Sequence, residues 1–225
     1  MNMKENGKRG ITAGAALILA FALWTVLVMF VDVKPVGVNG TDIGLSTMNV
    51  WFHQLTGVHL WLYNLTDWLE WIAILICAGF AALGVIQLIK GKGLKKVDTD
   101  LLLLGAYYLL IVLVYLVFNK IKINYRPILI DGEMELSYPS STTLLVLSVM
   151  PTLKFQADRR MKKTAARQAA AVFAILFSVL MVIGRTVSGV HWLSDIIGSV
   201  ILSAGLFLLY ISCVILADQK KAIQK

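Results

Sequence analysis

The sequence predicts an all-α integral membrane protein, a bundle of six transmembrane helices forming a single membrane domain over residues 1–225. Three observations carry that prediction. The chain is 58% hydrophobic with a mean hydropathy of +0.77, more apolar than a soluble domain of this size needs. The apolar residues fall into stretches near the roughly 20 residues that cross a bilayer. The basic residues gather in clusters that alternate with those stretches, as the positive-inside bias requires.

The expected spans are about 11–31, 68–89, 100–118, 138–156, 168–187 and 191–217, after a cytoplasmic tail over 1–10. The first follows Lys4, Lys8 and Arg9; it is longer than a signal-peptide core and shows no small-residue cleavage site, so it reads as a retained span. The fourth is the least regular, because its apolar part is short and contains Pro151. Further basic clusters, Lys90–Lys96, Lys154–Arg167 and Lys220–Lys225, fall on the side of the N-terminal one. Both termini are therefore expected in the cytoplasm of a multi-pass cell-membrane protein, and small size points to a bacterial plasma membrane. The formal charge of +8 is distributed as loop clusters and not as a nucleic-acid-binding stripe, so no nucleic acid is expected as partner. Cys77 and Cys213 lie singly in apolar runs and read as buried small hydrophobes.

The opposite membrane face receives residues 32–67, 119–137 and 184–191. Residues 32–67 are rich in aromatics (Trp51, Phe52, Trp61, Tyr63) and poor in base, which suits an interfacial, non-cytoplasmic segment. Its His53 and His59 read as headgroup-level polar residues.

Chemistry is concentrated in Gly184-Arg185-Thr186-Val187-Ser188-Gly189-Val190-His191-Trp192-Leu193-Ser194-Asp195. Ionisable residues beside hydrocarbon are costly and mark functional sites by default. If a helix starts near His191, Asp195 lies on the same face, where its carboxylate can hold one ring nitrogen and leave the other for a substrate. Arg185 offers a planar fork for phosphate or carboxylate. The plainer reading is a helix-end His–Asp pair with an interfacial arginine. Lys120, Lys122 and Arg126 sit on the face that should be poor in base, which fits anion binding or headgroup snorkelling. Pro139-Ser140-Ser141-Thr142-Thr143 reads as a helix N-terminus, whose free N–H groups favour an anion or serve simply as a cap. All three segments emerge on one face.

Those residues resemble the signature of the type-2 phosphatidic acid phosphatase superfamily: a lysine, six residues, then Arg-Pro; Pro-Ser-Gly-His; and Ser-Arg, five residues, His, three residues, Asp. The resemblance implies a membrane-embedded lipid phosphate phosphatase with no cofactor and no metal, acting on a phosphorylated lipid at the non-cytoplasmic face. It implies His191 as nucleophile, oriented by Asp195, and a phosphate site of Lys120, Arg126, Ser140, Ser141, Thr142 and Arg185. The candidate substrates are phosphatidic acid, phosphatidylglycerol phosphate or a polyprenyl diphosphate.

Three departures stand beside it. Lys120 is one residue nearer Arg126 than the pattern asks, with Asn119 at the strict position; Gly184 replaces a serine; and Thr142 replaces the histidine that protonates the leaving group. General acid catalysis is typically worth about 10²–10⁴-fold. Its loss favours a diphosphate substrate, whose leaving group is a weak base, unless Asp131, Glu133 or Glu135 supplies the proton. A relative that binds phosphorylated lipid or a membrane partner without turning it over is the alternative.

Overall fold

A computed structural model describes residues 3–223, with side chains from residue 5 onward. The Lys4 side chain and Lys225, members of the two terminal basic clusters, lie outside the described residues. Among those described, seven α-helices follow in order: α1 (Met3–Phe30), α2 (Ser46–Thr56), α3 (Leu60–Gly91), α4 (Thr99–Phe118), α5 (Ser141–Arg160), α6 (Thr164–Val187) and α7 (Leu193–Ile223). All but α2 are long. Five of these, α1, α3, α4, α6 and α7, are long and apolar enough to cross a membrane. The chain is thus an all-α, multi-pass membrane protein.

Helix α5 is as long as α4 but less apolar, because it is packed in protein instead of lipid. It contacts α3, α4, α6 and α7, and Thr142, Thr143, Ser148, Thr152 and Gln156 along it are all buried. Neighbouring hydroxyls answer these polar groups: Tyr107 Oη donates to the Ser148 carbonyl (3.1 Å), Tyr108 Oη pairs with Thr152 Oγ1 (2.6 Å), and Gln156 Nε2 donates to Tyr210 Oη (2.8 Å). Pro151 is accommodated within the helix, as prolines are where neighbouring helices surround them. The outward faces of α3, α4 and α6 carry exposed leucine, isoleucine and valine, the lipid-facing pattern.

Helices α1 and α7 pack along each other, and small residues set their approach. A Cβ at Gly14 would stand 2.8 Å from the Leu209 side chain and 3.0 Å from the Gly205 carbonyl oxygen; one at Gly10 would meet Ser212 Oγ. Without a hydrophobic drive between helices in lipid, such close contact is what holds them together.

Several boundaries differ from expectation. Residues 3–10 are helical and continuous with α1, and α3 starts at Leu60, so the segment expected to be interfacial holds α2, the turns around it and the first turns of α3. The physical reason is that aromatic composition suits a helix as well as an interfacial turn: Trp61 and Trp68 stay exposed while their backbone remains helical. Trp51, Trp61, Trp68 and Trp71 all point outward at that end. His191 precedes α7 and is not in it, and α7 extends through Ile223. Cys213 is exposed on the outside of α7, not buried; an apolar run surrounded by lipid buries only one face in protein.

The two ends of the bundle differ in chemistry. One end holds an ion-pair cluster: Arg159 bridges Asp100 (3.1 Å) and Asp218 (2.8 Å), and Arg160 bridges Asp98 (2.9 Å) and Asp100 (2.8 Å). That cluster ties α4, α5 and α7. The other end gathers the three expected functional segments.

Gly14→Leu should force α1 from α7 and lower stability by about 1–3 kcal/mol, the usual cost of overpacking. A fall in thermal midpoint in detergent, with a change at exposed Gly79 as control, checks it.

Candidate active site

The loop between α6 and α7 turns back sharply so that His191 ends at the mouth of α7. Gly189 makes the turn: its φ is +71°, and a Cβ there would collide with the Gly57 carbonyl oxygen. Asp195 then closes a cap on α7 by accepting the Trp192 backbone N–H at Oδ2 (2.9 Å), while its own N–H donates to the Trp192 carbonyl (3.0 Å).

His191 is 4% exposed. Its Nδ1 lies 3.2 Å from the Ser137 carbonyl oxygen and 3.6 Å from Asp195 Oδ2. A carbonyl can only accept, so Nδ1 carries the hydrogen and Nε2 keeps its lone pair. Asp195 therefore shares the orienting role with a backbone carbonyl that the sequence did not point to. Burial first, then the Arg126 and Arg185 guanidinium groups, hold the His191 pKa well below the ordinary 6.5. Both effects favour the neutral ring.

Asp195 is wholly buried and sits in a polar frame. Asn124 Nδ2 (3.4 Å) and Ser194 Oγ (3.4 Å) donate to Oδ1. Asn49 Oδ1 accepts the Ser194 N–H (3.0 Å), and Asn49 Nδ2 donates to the Gly44 carbonyl (2.8 Å) and to Ser194 Oγ (2.9 Å). The asparagines come from α2 and from the loop after α4, so the start of α7 is held from two sides.

That second loop is a short hairpin with bridges Tyr125 to Leu136 and Ile130 to Glu133. Trp192 Nε1 donates to the Tyr125 carbonyl (2.7 Å), pinning the hairpin over the His191 loop. Arg126 is thereby brought to the cavity. Its Nε lies 3.0 Å from Glu135 Oε2, an ion pair without hydrogen-bond alignment, and its Cζ lies 5.5 Å from the centre of the Tyr63 ring. Arg185 stacks on the same ring at 4.7 Å and donates from Nη1 to Thr66 Oγ1 (3.3 Å); Asp67 Oδ1 is 3.7 Å away.

Thr66 explains one departure from the family signature. A Cβ on Gly184 would stand 2.7 Å from Thr66 Cγ2. The threonine of α3 fills the space beside Gly184 and presents a hydroxyl to Arg185.

A cavity of about 390 Å³ is lined by His191, Arg126, Glu135, Ser137, Ser141 and Asn119, among others. Arg126 Nε and Nη1, Arg185 Nε and His191 Nε2 are buried there or beside it without a hydrogen-bond partner among the described residues. Unsatisfied buried donors are costly, and two guanidiniums beside a free imidazole lone pair make a cradle for a tetrahedral anion with an electrophilic centre. No group of three or more potential metal-ligating side chains occurs among the described residues.

Of the remaining expected residues, Ser141 lines the cavity and Ser140 does not. Ser140 faces inward, donating to Thr143 Oγ1 (3.1 Å) and accepting Ser199 Oγ at its carbonyl (2.9 Å). Thr142 is buried against α3, its Oγ1 donating to Glu70 Oε2. Lys120 and Lys122 are exposed and absent from the cavity lining, whereas Asn119 reaches it. The one-residue shift decides this, because α4 ends at Phe118 and successive positions point apart. Asp131 and Glu133 lie exposed at the hairpin tip; only Glu135 reaches the cavity. His53 and His59 bond backbone carbonyls of Gly189 (3.1 Å) and Thr56 (2.9 Å) and line no part of it. Tyr63, Thr66, Asn49 and Asn124 were not singled out from sequence. No local spacing marks them, since each acts across more than 55 residues.

The model of the PAP2 superfamily matches residues 103–217, which is α7 back to the first turns of α4. The crystal structure of the first transmembrane PAP2 type phosphatidylglycerolphosphate phosphatase from Bacillus subtilis superposes with a TM-score of 0.56 at 17% identity, covering 92% of this chain and 96% of that one. At that identity the likeness concerns the fold. No curated protein matches the chain.

Two outcomes test this geometry. The unfolded state takes up a proton at His191 as pH falls through 6.5 while the folded state resists it, so stability present above 6.5 is lost below it. Thermal midpoints should thus fall more steeply between pH 6.5 and 5 for the native chain than for His191→Asn, by up to about 1.4 kcal/mol per pH unit; parallel slopes would refute a buried neutral ring. Separately, Gly184→Ser should destabilise by about 1–3 kcal/mol through the clash with Thr66. Thr66→Ala in the same chain should relieve most of it, as a double-mutant cycle would read.

Proposed function

Because the chain belongs to the PAP2 superfamily, we propose that it is a lipid phosphate phosphatase working through a phosphohistidine at His191. The observation that carries this reading is that His191 Nε2 and Arg126 Nη1 are buried without hydrogen-bond partners at one cavity, while Arg185, its Nε likewise unpartnered, stacks on the same Tyr63 ring as Arg126. In the proposed reaction the Nε2 lone pair attacks phosphorus as the bond to the lipid oxygen breaks. Arg126 and Arg185 hold the equatorial oxygens, which carry the charge of a loose transition state. The ring becomes cationic once phosphorylated, and the Ser137 carbonyl and Asp195 carboxylate on its Nδ1 side stabilise it. Water then cleaves the phosphorus–nitrogen bond and restores the ring.

A membrane lipid is the substrate that fits the surroundings. A second, largely apolar cavity of about 270 Å³ lies between α3, α4 and α5, lined by Ile74, Ile111, Val112 and Leu145, and shares Tyr115, Ser141 and Leu144 with the His191 cavity. An acyl or prenyl chain there leaves its phosphate at His191. The positive-inside bias of the basic loops at the far end of the bundle supports a reading in which both termini are cytoplasmic and the site faces the opposite side.

The test is phosphate release in detergent from phosphatidic acid, phosphatidylglycerol phosphate and undecaprenyl diphosphate. Release, and an acid-labile phosphoenzyme trapped from labelled substrate, should both vanish in His191→Asn. Substrate binding without release by the native chain would make it the silent binder instead.

A further inference from the structure

We propose that Glu70 is the general acid of this site, acting through the Thr142 hydroxyl, and that the enzyme therefore accepts lipid phosphomonoesters as well as diphosphates. The inference rests on the phosphohistidine reading above. Thr142 stands where the family signature has its proton-donating histidine, and by sequence alone that position is simply without an acid. In the folded chain the Thr142 hydroxyl is hydrogen-bonded to Glu70 Oε2 of the neighbouring helix α3, the contact along which the carboxyl would pass its proton to the hydroxyl.

Glu70 lies on the apolar helix α3 between Leu69 and Trp71, and an ionisable group beside hydrocarbon is costly and marks function by default. It makes no ion pair with a lysine or arginine among the described residues, so it is not a structural counter-ion in contact with a base. It also lines the apolar cavity that shares the wall of Tyr115, Ser141 and Leu144 with the His191 cavity. Glu70 and His191 thus flank the first turn of α5 from two sides. The acids of the 124–137 hairpin offer no such arrangement, since Asp131 and Glu133 are exposed and Glu135 is paired with Arg126.

The proton balance closes. As the His191 Nε2–phosphorus bond forms, the phosphorus–oxygen bond to the lipid breaks. The lipid oxygen takes the Thr142 hydroxyl proton while Thr142 takes that of protonated Glu70, leaving a carboxylate. When water attacks phosphorus and the phosphorus–nitrogen bond breaks, one water proton returns along the same path to Glu70.

Leaving-group dependence tests this. Glu70→Gln keeps an acceptor for Thr142 but has no proton to give. On phosphatidic acid, whose leaving group is an alkoxide, its kcat should fall about 10²–10⁴-fold with KM little changed. On p-nitrophenyl phosphate, whose leaving group needs no protonation, the fall should be less than about 10-fold, which also shows that the variant folds. Thr142→His should make turnover of phosphatidic acid insensitive to Glu70→Gln. Equal losses on both substrates, or no loss on either, would overturn the role of Glu70 while leaving the phosphatase reading intact. Absence of release by the native chain, or release that survives His191→Asn, would overturn both.

Discussion

Two guanidinium groups of like charge, Arg126 and Arg185, are buried against one tyrosine ring at the edge of a membrane protein, and the local structure is arranged around that cost. Like charges in a poorly solvated setting repel strongly. The Tyr63 face offsets part of this through cation–π contact with both, Glu135 and Asp67 each neutralise one from a distance, and the rest is left for an anion. Burial first, and then the same two charges, lower the pKa of the neighbouring imidazole and favour its neutral form. The feature that is unfavourable for the empty fold is the one the proposed phosphoryl transfer would use, with an anion held by the guanidiniums beside a free imidazole nitrogen.

Holding this arrangement requires rigidity from elements far apart in the chain. The frame of Asn49, Asn124 and Ser194 fastens α2, the hairpin and the start of α7 to the Asp195 carboxylate. Helix α5 runs through the middle and carries polar groups on several sides, where Tyr107, Tyr108 and Tyr210 bond the Ser148 carbonyl, the Thr152 hydroxyl and the Gln156 amide. At the far end Arg159 and Arg160 bind three aspartates from α4, the turn before it and α7. Networks at both ends thus hold the termini of α5 in register.

The departures from the family signature read differently once folded. The serine hydroxyl missing at Gly184 is matched by Thr66, whose methyl group fills the very space a side chain there would need. The acid missing at Thr142 is matched by Glu70. Both replacements come from α3, the helix that also supplies Tyr63. In this site polar groups stand on a helix neighbouring the signature segments, where motif comparison does not look.

The sequence by itself determined the membrane class, the long helices and the convergence of Arg126, Ser141 and Arg185–Asp195 on one end. Those follow from local quantities: hydropathy over about 20 residues, the side on which basic residues cluster, and short-range spacing between His191 and Asp195. Tertiary structure alone decided which groups complete the site. Ser137 holds the ring through a backbone carbonyl, which has no residue identity to read. Tyr63, Thr66 and Glu70 act on residues 63 to 122 positions away, and only helix packing sets such distances. It also decided against Lys120, because a one-residue shift at the end of α4 turns a side chain out of the cavity, and a spacing pattern carries no record of where a helix stops.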